Sequence, residues 1–305
     1  MTGGRPGPVL VLGEALIDLV PVDGDGGVRT AQFGGAPANV AVGLARLGTP
    51  TVFAGGIGGD GFARTIEERL REAGADLTLC ARSGLPTALA VAEPGAAGTG
   101  YHFHLQDTAT FRLPDLSAQT SRFGAVYVGG LAAVVEPAAA VVRATAEAAA
   151  SRSLLVVDPN VRRDRTLGED DGSAVLRALC GLAHVVKASD EDLERLWPGA
   201  RPEDTCRRLA AGGRLTVLTR GARGSTAYTA AAPPVSVEAV PVEVVNTIGA
   251  GDAFTAGLLS RMSALGSFTA SPDPGTVRDM LSFASRAAAS VCARAGTEPS
   301  VPAGT

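Results

Sequence analysis

The sequence predicts an α/β fold with a mainly parallel central sheet, covered by helices and joined by a small β-sheet lid. Short apolar runs alternate along the chain with helical patterns, which is typical of parallel strands linked by helical crossovers. The 305 residues, of which 46% are hydrophobic and 19% charged, are enough to bury one large core. Two stretches break the alternation, and these predict the lid.

The elements follow from the apolar runs in chain order, because a short buried run indicates a strand and a longer run with helical spacing indicates a helix. Strands are predicted at residues 8–13, 51–55, 125–129, 154–158, 184–187 and 215–219. Helices are predicted at residues 37–47, 61–73, 137–151, 191–197, 202–211, 250–265 and 274–295.

The lid is predicted from residues 15–32 and 87–112, which carry strand-like pieces with no helix between them. The core then consists of residues 1–14, 33–86 and 113–305. A lid over a cleft excludes water from a reacting group. The same small sheet can also serve as the edge through which a homodimer forms, and the two roles are compatible.

Composition excludes several classes of partner. A net charge of −4 gives no basis for binding nucleic acid or an anionic membrane. The chain has no apolar run long enough for a membrane span and opens with no signal peptide. Its four cysteines are scattered without a Cys-x-x-Cys pair. This pattern predicts reduced thiols in a cytoplasmic protein.

The chain contains 27 basic residues, and Lys187 is the only lysine among them. A P-loop needs a lysine after its glycines, so that class of nucleotide-binding enzyme is excluded. The His-Arg-Asp and Asp-Phe-Gly motifs of protein kinases are absent. No Gly-x-Gly-x-x-Gly follows the first strand, which disfavours a nicotinamide-dependent oxidoreductase.

The segment Gly249-Ala250-Gly251-Asp252 leads into an apolar helical run. Its small residues let backbone N–H groups approach an anion closely, and a helix starting there adds unpaired N–H groups and a favourable dipole. Asp252 in the first turn can take a proton from an attacking hydroxyl. The pattern favours phosphoryl transfer to an alcohol, although an acid in a first turn is also ordinary helix support.

A second motif has the residue types that sugar recognition needs. Gly34 and Gly35 allow the backbone to approach a substrate hydroxyl, and Asn39 can both donate and accept hydrogen bonds. Asp18 follows the first strand, where a carboxylate can bind vicinal hydroxyls. A glycine turn with a capping Asn39 and a solvated Asp18 is the simpler alternative.

The chain resembles the PfkB-type, or ribokinase-like, carbohydrate kinases over residues 13–300. Gly34-Gly35-Ala36-Pro37-Ala38-Asn39-Val40-Ala41 resembles the first signature of that family, and residues 245–254 resemble the second. Between them lie Asp158-Pro159-Asn160-Val161-Arg162, Lys187-Ala188-Ser189-Asp190-Glu191 and residues 219–225, in the family's order. The resemblance implies a three-layer sandwich that uses ATP and Mg²⁺.

On the sugar side, the resemblance implies catalysis by Asp252 as general base, with the backbone of Gly249, Ala250 and Gly251 forming an anion hole. It further implies a set of substrate-binding residues. These are Asp18, Gly34, Gly35, Asn39 and Arg162.

On the nucleotide side, the resemblance implies a shelf for the base and ribose formed by Thr219, Gly221 and Gly224. Lys187 stands where related kinases have Asn, and as a point charge it can steady phosphate oxygens. Either Asp190 or Glu191 would act on magnesium through water, and the sequence leaves the choice between them open.

Two departures limit what the resemblance implies. The family usually carries Asp where this chain has Asn246, one of four residues matching a monovalent cation site. The four are Asn246, Ile248, Gly296 and Ser300. Asn keeps an oxygen ligand and loses the charge, so we expect potassium activation to be weaker than in the family.

The second departure concerns the acceptor. The motifs look most like those of bacterial fructokinases, yet residues 103–110 lack the Arg and the second Asp that those enzymes usually carry in the lid. Ribose, a 2-keto-3-deoxygluconate-type sugar acid and a nucleoside therefore stay open as acceptors. A non-catalytic sugar- or nucleotide-sensing relative is the alternative of a different class, which the intact Gly-Ala-Gly-Asp disfavours.

Overall fold

The computed structural model describes residues 7–22, 25–95, 98–162, 172–245, 247–266 and 272–294. Its strands are β1 (Val9–Leu12), β2 (Leu16–Val22), β3 (Asp25–Gly34), β4 (Thr51–Ala54), β5 (Gly56–Ile57), β6 (Ala81–Arg82), β7 (Leu89–Gly95), β8 (Gly98–His104), β9 (Ala125–Gly129), β10 (Leu154–Asp158), β11 (Val185–Ser189), β12 (Leu215–Thr219), β13 (Ser225–Tyr228) and β14 (Val235–Val237). The helices are α1 (Ala36–Arg46), α2 (Gly61–Ala73), α3 (Ala138–Ala149), α4 (Ser173–Leu182), α5 (Asp190–Leu196), α6 (Pro202–Ala211), α7 (Ala250–Ala264) and α8 (Pro274–Cys292).

The central sheet has eight strands in the order β14-β13-β12-β11-β10-β9-β1-β4. The strands from β12 to β4 are parallel, and β13 and β14 extend one edge antiparallel. Every residue of β1, β4, β9 and β10 is buried, because helices cover both faces of a parallel sheet. This explains why these strands read as continuous apolar runs in the sequence.

Successive side chains of one strand enter two different helical layers. Val9 and Val11 belong to one core cluster, which contains apolar residues of α1, α2, α7 and α8. Leu10 and Leu12 belong to the other, which contains residues of α3 and α4. The alternation follows from the two-residue period of a strand. The predicted sandwich of helices, sheet and helices is confirmed.

The small sheet has the order β3-β2-β7-β8, in which β2 and β7 are parallel. It forms from the segments predicted to break the alternation. The Thr110 hydroxyl donates to the Ala15 carbonyl at 3.2 Å and accepts from the Ala88 N–H at 3.0 Å. The buried Thr110 side chain therefore holds the residues directly before β2 and β7 beside each other.

The sequence missed some elements and predicted others to within a few residues. Strands β9, β10 and β12 and helices α2 and α6 have the predicted bounds. Helix α4, the short pair β5 and β6, and the edge strands β13 and β14 were not predicted. The edge strands are only four and three residues long, too short for a periodic pattern. Among the described helices, none is long and apolar enough to cross a membrane.

Candidate active site

The predicted site residues lie around the carboxyl-terminal edge of the central sheet. Asp158 ends β10, the segment that begins with Lys187 ends β11, and Thr219 ends β12. Strand β1 lies between β4 and β9, so the later strands of the sheet are added on both of its sides. A crevice outside the strand ends is the usual ligand site in open α/β sheets.

Helix α7 begins at this edge. Gly249 precedes it with a φ of 77°, a left-handed conformation that a residue with a side chain adopts only at a cost. The Ala253 N–H donates to the Gly249 carbonyl at 2.8 Å, which closes the first turn. Most of the helix is buried, so its N-terminus is held firmly and its first N–H groups and dipole favour an anion.

Asp252 is buried in that first turn, only 6% exposed, and two amides hold its carboxylate. The Asn39 amide of α1 donates to Oδ2 at 2.8 Å, and the Asn160 amide donates to Oδ1 at 3.3 Å. Burial raises the pKa of Asp252 to about 6, against the lowering effect of Asn39 and Arg162. The carboxylate is therefore largely ionised at neutral pH while its proton affinity is increased.

A first cavity opens beside Asp252, which we call the carboxylate cavity. Its lining includes Glu14, Asp18, Asn39, Arg162 and Asp252. Burial raises the pKa of Asp18 to about 6, opposed by Arg162 and reinforced by Asp252. The cavity thus concentrates acidic oxygen atoms, which suit the hydroxyl groups of a polyol.

Glu14 has a position in this cavity that the sequence did not predict. Its carboxylate accepts the N–H groups of Leu131 and Ala132 at 3.1 and 2.9 Å. A Cβ built on Gly130 would lie 2.5 Å from the Glu14 Oε1 atom, so the turn there needs a glycine. Burial raises the pKa of Glu14 to about 7. Glu14 therefore fastens the end of β1 to the turn after β9.

The glycine pair of the first motif is explained by close packing. A Cβ built on Gly34 would lie 2.2 Å from the Asp18 Oδ2 atom. Gly35 has a φ of 99°, and a Cβ there would lie 2.8 Å from the Glu14 carbonyl oxygen. The pair therefore makes room for the two acidic residues and precedes α1, which carries Asn39.

A second cavity lies on the other side of the α7 N-terminus, with a volume of about 590 Å³, and we call it the apolar cavity. Its lining is mainly small and aliphatic, from the end of β12, the loop before α7 and helix α8. The lining residues include Thr219, Gly221, Gly224, Val240, Val242, Ala250, Gly251, Ser285, Ala288 and Ala289. The structure therefore brings the predicted nucleotide shelf against the predicted anion hole.

Lys187 lies below the boundary between the two cavities. Its ammonium donates to Asp158 Oδ2 at 3.0 Å, and both side chains are buried. The Thr255 hydroxyl of α7 donates to the same oxygen at 3.0 Å. Burial alone lowers the pKa of Lys187, but the carboxylates of Asp158 and Asp192 outweigh it and raise the pKa. Lys187 therefore carries its charge inside the protein.

The acids after β11 have different surroundings. Asp190 is partly buried and forms an ion pair with Arg223, which lies in the turn between Gly221 and Gly224. Glu191 is exposed. Asp192 forms a capping box with Ser189 and accepts the Val161 N–H at 2.8 Å. The Ser-x-x-Asp spacing is a capping signal that is present in the sequence itself.

Most residues of the predicted cation site lie outside the described residues, namely Asn246, Gly296 and Ser300. Ile248 is described, and it lies in the turn before α7, where it lines the carboxylate cavity. The prediction of a monovalent cation site therefore stays a prediction.

Comparison with known proteins identifies the family. Residues 8–304 match the pfkB family carbohydrate kinases. A fructokinase of Rhizobium leguminosarum bv. trifolii is 32% identical over 266 residues, 83% of this chain and 79% of that protein.

Solved structures show the same fold. A fructokinase of Xylella fastidiosa with bound ATP gives a TM-score of 0.84 at 27% identity, covering 96% of this chain and 95% of that one. A fructokinase double mutant of Vibrio cholerae O395, bound to fructose, ADP and potassium ion, gives 0.80 at 27% identity, covering 96% and 94%.

Proposed function

This chain belongs to the pfkB family of carbohydrate kinases, and we propose that it transfers the γ-phosphoryl group of ATP to a hydroxyl of fructose, with Asp252 as general base. One observation carries the proposal: the N-terminus of α7 lies between a carboxylate cavity and an apolar cavity. A sugar in the first and a nucleotide in the second would meet at the same helix turn.

Asp252 is oriented by its neighbours to accept the proton of the attacking hydroxyl. The Asn39 and Asn160 amides orient the two oxygens of Asp252, so a carboxylate lone pair is directed by the protein before substrate arrives. A pKa of about 6 leaves the group ionised at pH 7 and raises its basicity above that of an ordinary aspartate. The proton of the attacking hydroxyl passes to Asp252 as the new oxygen–phosphorus bond forms and the bond to ADP breaks.

The N-terminus of α7 would stabilise the negative charge of the phosphoryl group during its transfer. Gly249 turns the backbone into α7, and the Ala250 N–H donates to the Thr247 carbonyl at 3.3 Å. The next N–H groups, of Gly251 and Asp252, and the helix dipole would then stabilise the anion. The apolar cavity supports base and ribose binding because its lining is small and aliphatic, and the turn of Gly221 and Gly224 provides the shelf. Arg162, at the rim of the carboxylate cavity, adds a positive charge on the acceptor side.

Magnesium would enter with ATP and neutralise phosphate charge. Asp190 fits this role better than Glu191, because its carboxylate is directed to Arg223 in the nucleotide shelf, whereas Glu191 is exposed. Asp190 would therefore help to hold the metal beside the phosphates. Potassium should activate weakly, because Asn246 lacks the charge of the Asp that the family carries.

The charge of the carboxylate cavity favours a neutral sugar. Glu14, Asp18 and Asp252 bring three acidic groups, and only Arg162 opposes them among the described lining residues. A sugar acid would add another negative charge to this cavity, at an energetic cost. Ribose and nucleosides are not disfavoured by this argument, so they belong in the test.

The experiment is an ADP-release assay with purified protein, ATP and Mg²⁺, over a panel of fructose, ribose, 2-keto-3-deoxygluconate and nucleosides. We expect fructose to give the highest kcat/KM. A nucleoside or a sugar acid at the head of the panel would contradict the proposed acceptor. A potassium titration in the same assay tests the cation proposal, and a strong activation by potassium would contradict it.

We also propose a cytoplasmic homodimer that forms through the small sheet. The four cysteines are all free thiols, as expected in a reducing compartment. Val22 and Val28 of β2 and β3 are 40% and 48% exposed, an apolar surface on the sheet that a partner can cover. Light scattering should give twice the chain mass, and Val28→Glu should shift it toward the monomer. A monomeric wild type would contradict the dimer.

A further inference from the structure

Asp158 has no part in the proposed binding of sugar or nucleotide, yet it is the most completely buried acid near the site. It is 0% exposed, at the last position of β10. Its Oδ2 atom receives both the Lys187 ammonium and the Thr255 hydroxyl at 3.0 Å. The Oδ1 atom has no hydrogen-bond partner among the described residues. A buried carboxylate with such incomplete pairing is costly for stability.

The cation that Asp158 holds lies against the anion-binding turn. A Cβ built on Gly251 would lie 3.4 Å from the Lys187 Nζ atom. Gly251 is the residue directly before the base, and it is exposed to the cavity boundary. The ammonium therefore approaches the turn from the protein interior, while the ligands approach from the cavities.

Thr255 connects this charge to the helix. Its hydroxyl reaches Asp158 Oδ2 and also lies 3.1 Å from the Gly251 carbonyl oxygen. Three elements, β10, β11 and α7, are therefore joined through one carboxylate oxygen. Movement of α7 relative to the lysine would require breaking this contact.

We propose that Asp158 is a positioning residue that holds the Lys187 ammonium beneath the turn at Gly251, where its charge stabilises the phosphoryl group in transfer. The inference rests on the proposed function and adds a reason for the buried ion pair. A fixed positive charge in a site of low dielectric stabilises developing negative charge without reorganisation. The buried Lys187 ammonium in turn needs the Asp158 carboxylate beside it to stay charged and in place.

A double variant that removes both charges of the ion pair separates an effect on catalysis from an effect on folding. Lys187→Met leaves Asp158 buried without its cation, so we expect a lower Tm. The double variant K187M/D158N removes both charges, and the amide oxygen that replaces the Asp158 carboxylate can still accept the Thr255 hydroxyl. We therefore expect its Tm to recover toward that of the wild type. Both variants should lose kcat by about 100-fold or more, as when one preorganised donor is removed from an anion hole.

The sugar KM should stay within about threefold in both variants, because the lost interaction forms only in the transition state. A double variant that recovers both Tm and kcat would show that the ion pair is structural, and would overturn the inference. A loss confined to the sugar KM would overturn it as well.

A second ion pair on the same helix is the matched control. Arg261, near the end of α7, binds Asp279 of α8 at 2.6 Å, far from the cavities. The variant R261M/D279N should keep kcat within about twofold of the wild type, since surface pairs contribute little. A wild type without sugar phosphorylation would refute the proposed function itself. An active wild type with an active K187M/D158N would refute only this inference.

Discussion

The carboxylate cavity is lined by charged side chains, whereas the apolar cavity is shaped by backbone and small aliphatic groups. In the first, the Asn39 amide donates a hydrogen bond to Asp252, and the positive charge of Arg162 acts on Asp18. In the second, the lining comes from glycine, alanine and valine. Acceptor specificity should therefore respond to single polar changes, while nucleotide binding should respond to changes in volume.

The largest loss of kcat is expected from a substitution of Asp252, which lies where the two cavities meet. Asp252→Asn keeps the shape of the side chain and removes the base, so kcat should fall by about 1,000-fold or more. ATP binding, measured by calorimetry, should change little, because the apolar cavity remains intact. Turnover within about tenfold of the wild type would exclude Asp252 as the base.

The second prediction changes the carboxylate cavity alone. Gly34→Ala would place a methyl group 2.2 Å from the Asp18 Oδ2 atom, so Asp18 must move. We expect the sugar KM to rise by about 10-fold to 100-fold, the size expected for a lost hydrogen-bonded charge, while the ATP KM stays constant. Steady-state kinetics with each substrate varied in turn would measure the split.

Gly181→Ala is the control for this change, since a Cβ there has no atom within 4 Å. Gly181 lies in α4, away from both cavities. Its substitution should leave both KM values unchanged. A rise in the ATP KM of Gly34→Ala would contradict the separation of the two cavities.

The third prediction concerns how kcat/KM depends on pH. Burial raises the pKa of Glu14 to about 7 and those of Asp18 and Asp252 to about 6. Because Asp252 must be ionised to act as the proposed base, kcat/KM should fall by about tenfold for each pH unit below 6. Titration of Asp18 in the same range should steepen the fall. A flat profile from pH 7 to 5 would contradict the assignment of the base.

The stability of the fold should depend on pH in a different way from activity between pH 7 and 5. Raised pKa values mean that the folded protein binds protons more tightly than the unfolded chain. The stability contributed by these three groups is fully present below their ordinary pKa values of 3.8 and 4.5, and is lost as pH rises through 6 to 7. Asp60 has a lowered pKa, and its contribution is lost only in stronger acid. Between pH 7 and 5, activity should therefore fall while the Tm does not.

The smallest change in kinetic constants is expected from a larger side chain in the wall of the apolar cavity. Ala288→Leu adds volume to the α8 wall, so we expect the ATP KM to rise by about tenfold, and the sugar KM to stay constant, as when an extra methylene group is forced into a formed pocket. Ala140→Leu, at an exposed position of α3, is the control. Equal changes in both KM values for Ala288→Leu would show that the cavities are coupled through α7.

The sequence predicted the strands that end at the site, because buried parallel strands read as apolar runs and their ends carry the polar residues. It did not predict helix α4, whose ten residues include Gly181 and give a short pattern. Contacts such as the one from Asn39 to Asp252, separated by 213 residues, depend on the packing of α1 against α7. No local pattern contains that information.

Other site features were missed for the same reason. Asn160 has a φ of 41°, and this unusual turn directs its amide to Asp252. The pairing of Lys187 with Asp158 depends on the neighbouring positions of β10 and β11 in the sheet. The double hydrogen bond of Glu14 depends on the turn at Gly130. Each of these could be placed only once the strand order was known.

The burial of Lys187 also has a practical consequence for labelling chemistry. It is the only lysine of the chain, and it is 5% exposed. Reagents that acylate lysine amines therefore find no accessible lysine on the folded protein. Acylation at Lys187 requires the sheet edge to open, so its rate would report the frequency of that opening, and bound ligands should slow it. Acylation of this one lysine would thus report motions around the proposed active site.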